Sequence, residues 1–157
     1  MTILGIDPGT AIIGYGLVTS GKKPECIDYG VIETPKIKTK GERLCLLEEE
    51  MEKLLDEHSP DVVAVESLFF AKNTKTAMAV AEAKGVILLC LARKKLPVHE
   101  FSPPQIKMTV TGNGKADKKQ VWEMLQNTFK SQNIPKQDDT ADAIAVSLTY
   151  FFTNRYS

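Results

Sequence analysis

Residues 2–7 (TILGID) form a short apolar run closed by Asp-Pro-Gly-Thr, and residues 12–19 form a second run. A third, from Cys26 to Glu33, follows the polar break Ser20 to Pro24. Short apolar runs bounded by glycine and proline read as strands, so the first third of the chain predicts an antiparallel meander. The period then changes. Between residues 42 and 58, Leu44, Leu47, Met51, Leu54 and Leu55 share one face of a helix with acids opposite. "DVVAVES" from Asp61 reads as a buried strand ending in Glu66, reached by a crossover. Residues 74–95 predict a helix whose Val86 to Ala92 portion is apolar almost all round, as in a helix buried on several sides or in a subunit interface. "LPVHEF" gives a last short strand, Pro103 and Pro104 open a brief helical turn, and "TGNGK" at 111–115 is a mobile glycine-containing loop. Asp117 is placed to N-cap a helix carrying Val121, Trp122, Leu125 and Phe129. A final helix from about Asp138 carries Ile144, Val146, Leu148 and Phe151.

Within this pattern Asp7 stands out. A carboxylate at the end of a buried strand is costly to desolvate unless it is paired or holds a cation, and the Pro8-Gly9 step forces a tight turn behind it. Gly14 and Gly16 alternate on the second strand, which either keeps that face shallow for a ligand or leaves room for a closely packed helix.

The chain has 157 residues, the length of one domain, residues 1–157, able to bury a core without disulfide or metal staples. Acidic and basic residues number 20 each, which excludes a wholesale basic surface but not segregation of charge. Glu48, Glu49, Glu50, Glu52, Asp56 and Glu57 crowd one segment, whereas Lys107, Lys115, Lys118 and Lys119 gather in another. Cys26, Cys45 and Cys90 are odd in number and widely spaced in apolar surroundings, which points away from a disulfide framework or zinc knuckle. The N-terminus enters a strand at once without a signal pattern, and the longest apolar run is too short for a bilayer. The chain reads as a soluble cytoplasmic protein.

The acids sort into a constellation. Asp7 ends the first strand, Glu66 ends the fourth, and Asp139 and Asp142 lie three apart at the start of the last helix. If the two strands are sheet neighbours with that helix beside them, the four carboxylates converge. Such a group cannot stay fully ionised without cations, and all-oxygen ligation suits magnesium. Two such ions about 4 Å apart suit in-line displacement at a phosphodiester. Each acid also has a structural role open to it: an Asx turn for Asp7, an exposed strand end for Glu66, helix-dipole complementation for Asp138, Asp139 and Asp142. Spacing alone leaves Asp138, four before Asp142, in competition with Asp139. No serine or cysteine has a histidine suitably placed for covalent catalysis, so metal-activated water is the chemistry the chain supports. His58 near a helix C-terminus, Trp122 at core spacing and His99 at a strand end read as structural.

The segments "GIDPGTAIIGYGLV", "VAVESLFFAKN", "IKMTVTGNGKADKKQV" and "DDTADAIAVSLTY" resemble, in order and spacing, the four signature blocks of the RuvC family of bacterial Holliday-junction resolvases, over residues 2–150. The resemblance implies an α/β ribonuclease-H-like fold, a five-stranded mixed sheet flanked by helices. It also implies a homodimer that resolves Holliday junctions in recombination and repair by paired nicks in strands of like polarity, leaving ligatable 5′-phosphate and 3′-hydroxyl ends. Asp7, Glu66, Asp139 and Asp142 match the magnesium-binding catalytic acids, which settles Asp139 over Asp138, although some members carry histidine there; manganese is a possible substitute. Lys107 and Lys118 match lysines near the scissile phosphate, and Phe69 matches an aromatic that stacks on bases near the crossover. Lys72, Lys75, Lys115 and Lys119 are candidate backbone contacts, supplying affinity without sequence information. Cooperation with the RuvA–RuvB branch-migration complex is also implied.

Three other readings compete. "GIDPGT" also resembles the first phosphate loop of actin-like and sugar-kinase ATPases, which bind nucleotide between two such domains. A ribonuclease H acting on RNA–DNA hybrid shares fold and metals, and a non-catalytic junction-binding module would need none of the four acids.

Overall fold

The computed structural model describes residues 1–67, 74–130, 132–136 and 138–155, without the side chains of Thr74 and Asp138. The expectations for Phe69 and Lys72 lie outside the described residues. The elements run β1 (Thr2–Asp7), β2 (Ile12–Thr19), β3 (Glu25–Glu33), α1 (Lys40–His58), β4 (Val62–Glu66), α2 (Thr74–Arg93), β5 (Val98–Phe101), α3 (Pro103–Thr111), α4 (Lys118–Thr128) and α5 (Asp138–Thr153).

The strands form one sheet in the order β3-β2-β1-β4-β5. The β1–β2 and β2–β3 pairs are antiparallel, the expected meander, while β1–β4 and β4–β5 are parallel. Parallel neighbours require crossovers, which α1 and α2 supply. Side-chain alternation then divides the core. Leu4, Ile6, Ile13, Leu17, Val63 and Val65 meet Leu47, Met51, Ile87 and Leu91 of α1 and α2 on one face. Ile3, Val18, Val62 and Ala64 meet Ile106, Leu125, Ile144 and Leu148 of α3, α4 and α5 on the other.

Local signals explain the helix ends. Thr39 and Glu42 form a capping box, Thr39 Oγ1 accepting from Glu42 N at 3.3 Å, so α1 starts at Lys40, two residues before the expected start at residue 42. Ser102 and Gln105 form another, with prolines in the first turn. The brief turn expected there is therefore a nine-residue helix, ended by Gly112 in the left-handed region (φ 77°). Asp117 N-caps α4 as expected, accepting from Gln120 N at 2.8 Å. The loop between α3 and α4 is tied internally, Ala116 N donating to Asn113 O at 3.0 Å and Lys115 N to Asn113 Oδ1 at 3.0 Å. The acids of α1 do not form a bare negative face. Glu48 pairs with Arg93, and Glu52 and Asp56 with Lys94, because α2 packs alongside α1 and ends there in cations.

Some residues differ from their sequence reading. Cys45 is exposed, on the outer side of α1. His99 sits within β5, its ring edge-on to Tyr150 at 4.9 Å. His58 is at the C-terminus of α1 as read, and its Nε2 also lies 3.0 Å from Asp28 Oδ2. No helix among the described residues is long and apolar enough to cross a membrane.

Helix α5 is buried on several sides, and even Thr140, Ser147 and Thr149 on it are inaccessible. The last two hydroxyls are satisfied within the helix, Ser147 Oγ donating to Ile144 O at 2.9 Å and Thr149 Oγ1 to Ala145 O at 2.8 Å. The helix can lie this close because Gly5, Gly14 and Gly16 face it. A Cβ on Gly5 would stand 2.2 Å from Ala143 O, one on Gly14 2.0 Å from Asp139 O, and one on Gly16 2.6 Å from Ile144 Cγ1. Helix packing therefore explains Gly14 and Gly16, and Gly5 joins them. Gly5→Ala is expected to cost roughly 3 kcal/mol, the upper end for overpacking, because backbone is what the methyl meets. Urea unfolding with a lowered midpoint would show it; an unchanged midpoint would mean that α5 does not rest on β1.

Candidate active site

Asp7 and Glu66 are the last residues of neighbouring parallel strands, whose register ends at Ile6 opposite Val65. Gly5 and Ala64 are also partners, on the α5 face, and alternation returns Asp7 and Glu66 to that same face two residues later. Across β2, Asp7 is opposite Gly14, the glycine against which the Asp139 carbonyl packs. The first turn of α5 is thus set over the end of β1. In that turn Asp142 sits among buried Ala141, Ala143 and Ile144 while staying partly open itself.

The electrostatics of Asp7 register the result. Its pKa is pushed up to about 10, first by burial, then by a hydrogen bond with Glu66, then by the charges of Glu66, Asp142 and Asp139. Crowding by acids thus favours the protonated form at this position in the metal-free protein. Among the described residues no three acids, histidines or cysteines are grouped so as to hold an ion as they stand. Asp142 Oδ2 lies instead 3.4 Å from Lys118 Nζ. The donor set nevertheless fits hard divalent cations: the groups acting on Asp7 are all carboxylates, on rigid element ends, and their mutual repulsion is what a bound cation relieves.

A cleft of about 200 Å³ opens beside the acids, lined by Glu66, Ile106, Lys107, Lys118, Val121 and Asp142 among others. Lys107 reaches it from α3, whose Ile106 and Val110 are buried. Lys118 is the first residue of α4, positioned by the Asp117 cap. Two ammonium groups and two of the carboxylates, those of Glu66 and Asp142, thus share one cavity. Lys75, Lys115 and Lys119 are exposed and do not line it. Lys75 is in the first turn of α2, Lys115 in the α3–α4 loop, and Lys119 is 3.9 Å from Glu123. Phe69 and Lys72 lie outside the described residues, as does the Asp138 side chain.

The structure adds a residue that sequence reasoning missed. Arg43 donates from its guanidinium to Thr10 O at 2.8 Å and to Thr34 Oγ1 at 3.2 Å, tying the turn behind Asp7 to α1. Nothing near Arg43 in the sequence distinguishes it from a solvated helix arginine. Covalent alternatives are weak: burial pushes the Cys26 thiol up to about 12 and Cys90 up to about 11, far from a thiolate at neutral pH.

The sequence profile of the family described as "Crossover junction endodeoxyribonuclease RuvC" matches residues 3–150. A protein of that name from Finegoldia magna is 45% identical over 157 residues, covering 99% of this chain and 96% of its own length. One from Thermosipho melanesiensis is 50% identical over 148 residues, covering 94% of each. The chain belongs to the RuvC family. A solved RuvC from Thermus thermophilus, described as in complex with Holliday junction substrate, superposes with a TM-score of 0.91 at 30% identity, over 99% of this chain and 95% of that one. The fold is accordingly ribonuclease-H-like, as RuvC folds are. The match along the whole chain reduces the likeness of "GIDPGT" to ATPase phosphate loops to a local one.

Asp7 makes the metal-free fold sensitive to pH. Its folded pKa is above the unfolded value near 4, so the stabilisation by its proton is complete below about pH 4 and is lost as pH rises toward 10. In EDTA the melting temperature should fall between pH 5 and 9, with a slope of up to about 1.4 kcal/mol per pH unit from this group. Asp7→Asn should flatten that fall, and magnesium should raise the wild-type melting temperature most at the alkaline end. Identical pH profiles for wild type and variant would show that Asp7 is not crowded by acids.

Proposed function

We propose that this chain is a structure-specific endonuclease that resolves Holliday junctions in DNA recombination and repair. The observation that carries the reading is the convergence of three carboxylates, Glu66, Asp139 and Asp142, on a fourth, Asp7, beside a cleft that holds two lysines. Asp7, Glu66, Asp139 and Asp142 would hold magnesium, two ions per site, with manganese as a substitute. Bound there, the ions supply a water of lowered pKa and neutralise charge at the phosphate. The strand ends hold Asp7 and Glu66 rigidly, and the Pro8-Gly9 turn carries the chain away from the space a phosphate enters. Lys107 and Lys118 stabilise the charge that builds on the phosphoryl oxygens as water attacks phosphorus. The bond to the 3′ oxygen breaks, that oxygen takes a proton, and the products are a 5′-phosphate and a 3′-hydroxyl that ligase can join.

Two symmetric nicks require two sites related by a two-fold axis. The exposed face of α2 supports a homodimer: Met78, Ala81, Gly85, Leu89 and Ala92 follow one another at helical spacing, with no charge among them. A solvated helix face is ordinarily polar, and five apolar or small residues suit a second copy of the same helix. Action alongside RuvA–RuvB is part of the same reading, and no residue is assigned to that contact. Phe69, Lys72, Lys75, Lys115 and Lys119 stand as DNA contacts.

Wild-type protein in magnesium should nick an end-labelled four-way junction in symmetric pairs, leave linear duplex and RNA–DNA hybrid intact, and do nothing in EDTA. Asp7→Asn should lose at least about 10²-fold in cleavage while junction affinity persists, since affinity rests on the basic groups. Cleavage of the hybrid would move the substrate to the ribonuclease H class, and tight binding without any cleavage would make the chain a binding module. Leu89→Glu should give a monomer by analytical ultracentrifugation and replace paired nicks by isolated ones; a variant that remains dimeric would place the interface elsewhere.

A further inference from the structure

A second cavity, of about 210 Å³, lies on the other side of the first turn of α4. It is lined by Lys118, Lys119, Val121, Trp122, Lys136, Ala141 and Asp142. Lys118, Val121 and Asp142 also line the catalytic cleft, so the two cavities adjoin along these three residues. Three lysines face a single carboxylate here.

Two features of this cavity are not explained by folding. Lys136 Nζ is 5.5 Å from the centre of the Trp122 ring and forms no ion pair among the described residues. The segment that carries it is already anchored without it: Ile134 is buried, its carbonyl accepts from Gln126 Nε2 at 2.7 Å, and Gln132 pairs with both backbone groups of Cys26 at 2.9 and 2.6 Å. The Trp122 indole Nε1 is buried with no acceptor among the described residues, an uncommon condition for a group that usually finds a partner when buried. Together they form a cationic ledge with an amphipathic aromatic floor.

Resting on the reading of the chain as a junction nuclease, we infer that this ledge is a second DNA subsite, which takes the sugar–phosphate backbone of the strand running on from the scissile phosphate. A strand carries one phosphate per roughly 3.4 Å of axial rise. A strand whose scissile phosphate is in the catalytic cleft therefore brings adjacent phosphates across Lys118 and onto the ledge. Lys136 and Lys119 meet a phosphate there, and Trp122 offers its ring to the deoxyribose. The subsite carries no sequence information; it fixes the strand's direction through the active site.

Trp122 is the chain's one tryptophan, so its fluorescence reports on the ledge alone. Titrating the full-length protein in EDTA with four-way junction should quench or shift that emission with the same midpoint as binding followed by anisotropy of a labelled junction. Lys136→Ala should weaken junction binding 3- to 10-fold and make the slope of log K against log salt shallower by about 0.9, one phosphate contact. Its melting temperature should stay unchanged, and Lys136→Arg should restore the affinity. Trp122→Phe removes a donor that has no acceptor among the described residues, so it should weaken junction binding while far-UV circular dichroism at the assay temperature shows the fold retained. A silent Trp122 under saturating junction, or an unaltered salt slope in Lys136→Ala, would overturn the subsite while cleavage of the junction left the functional reading intact. Absence of junction binding altogether would remove both.

Discussion

Helix α5 lies with its own backbone against the backbone of β1 and β2, and the arrangement of the site follows from that contact. Gly5, Gly14 and Gly16 form a patch without side chains on one face of the sheet, with Gly5 paired directly to Gly16. Carbonyls of Asp139 and Ala143 occupy the space that side chains would otherwise fill. A methyl on any of the three would lift the helix, and Asp139 and Asp142 would move off Asp7. The strands contribute two acids by ending together, and the helix contributes two by lying close.

That closeness is unfavourable in itself. Four carboxylates around one partly buried position repel one another, and the raised pKa of Asp7 is the symptom. The fold sustains the cluster through apolar layers on both faces of the sheet, where Ile3, Leu4, Ile6, Leu17, Val63 and Val65 are fully excluded from water. Capped helices add local support: the Ser102 and Asp117 boxes fix the starts of α3 and α4, the elements that bring Lys107 and Lys118 to the cleft. Strain of this kind at a site, offset elsewhere in the core, is a general trade between function and stability.

Charge is apportioned in the same way. The chain as a whole is neutral, yet Glu48, Glu52 and Asp56 of α1 are matched by Arg93, the last residue of α2, and Lys94 just after it. Three of the chain's 20 acids are thereby paired far from the acids of the site. The lysines of α3, of the following loop and of α4 are left to dominate the rim. A neutral protein can present a basic edge because some of its acids are paired within the fold while lysines such as Lys115 and Lys119 face outward.

The sequence by itself determined the elements, because period, glycine and proline punctuation and capping residues are local signals. It also singled out Asp7, Glu66 and Asp142 as acids in places where an apolar or neutral residue is the ordinary choice. The length of α3 was underestimated, since two prolines read as a brief turn when the Ser102 and Gln105 side chains are not seen to close a box. Tertiary structure decided what depends on elements distant in the chain. It decided which use Gly14 and Gly16 serve, that Gly5 belongs with them, that Arg43 reaches back to Thr10, and that Lys136 lies over Trp122. A glycine facing solvent and a glycine facing a helix are the same letter, and only the packing of α5 on β1 and β2 distinguishes them.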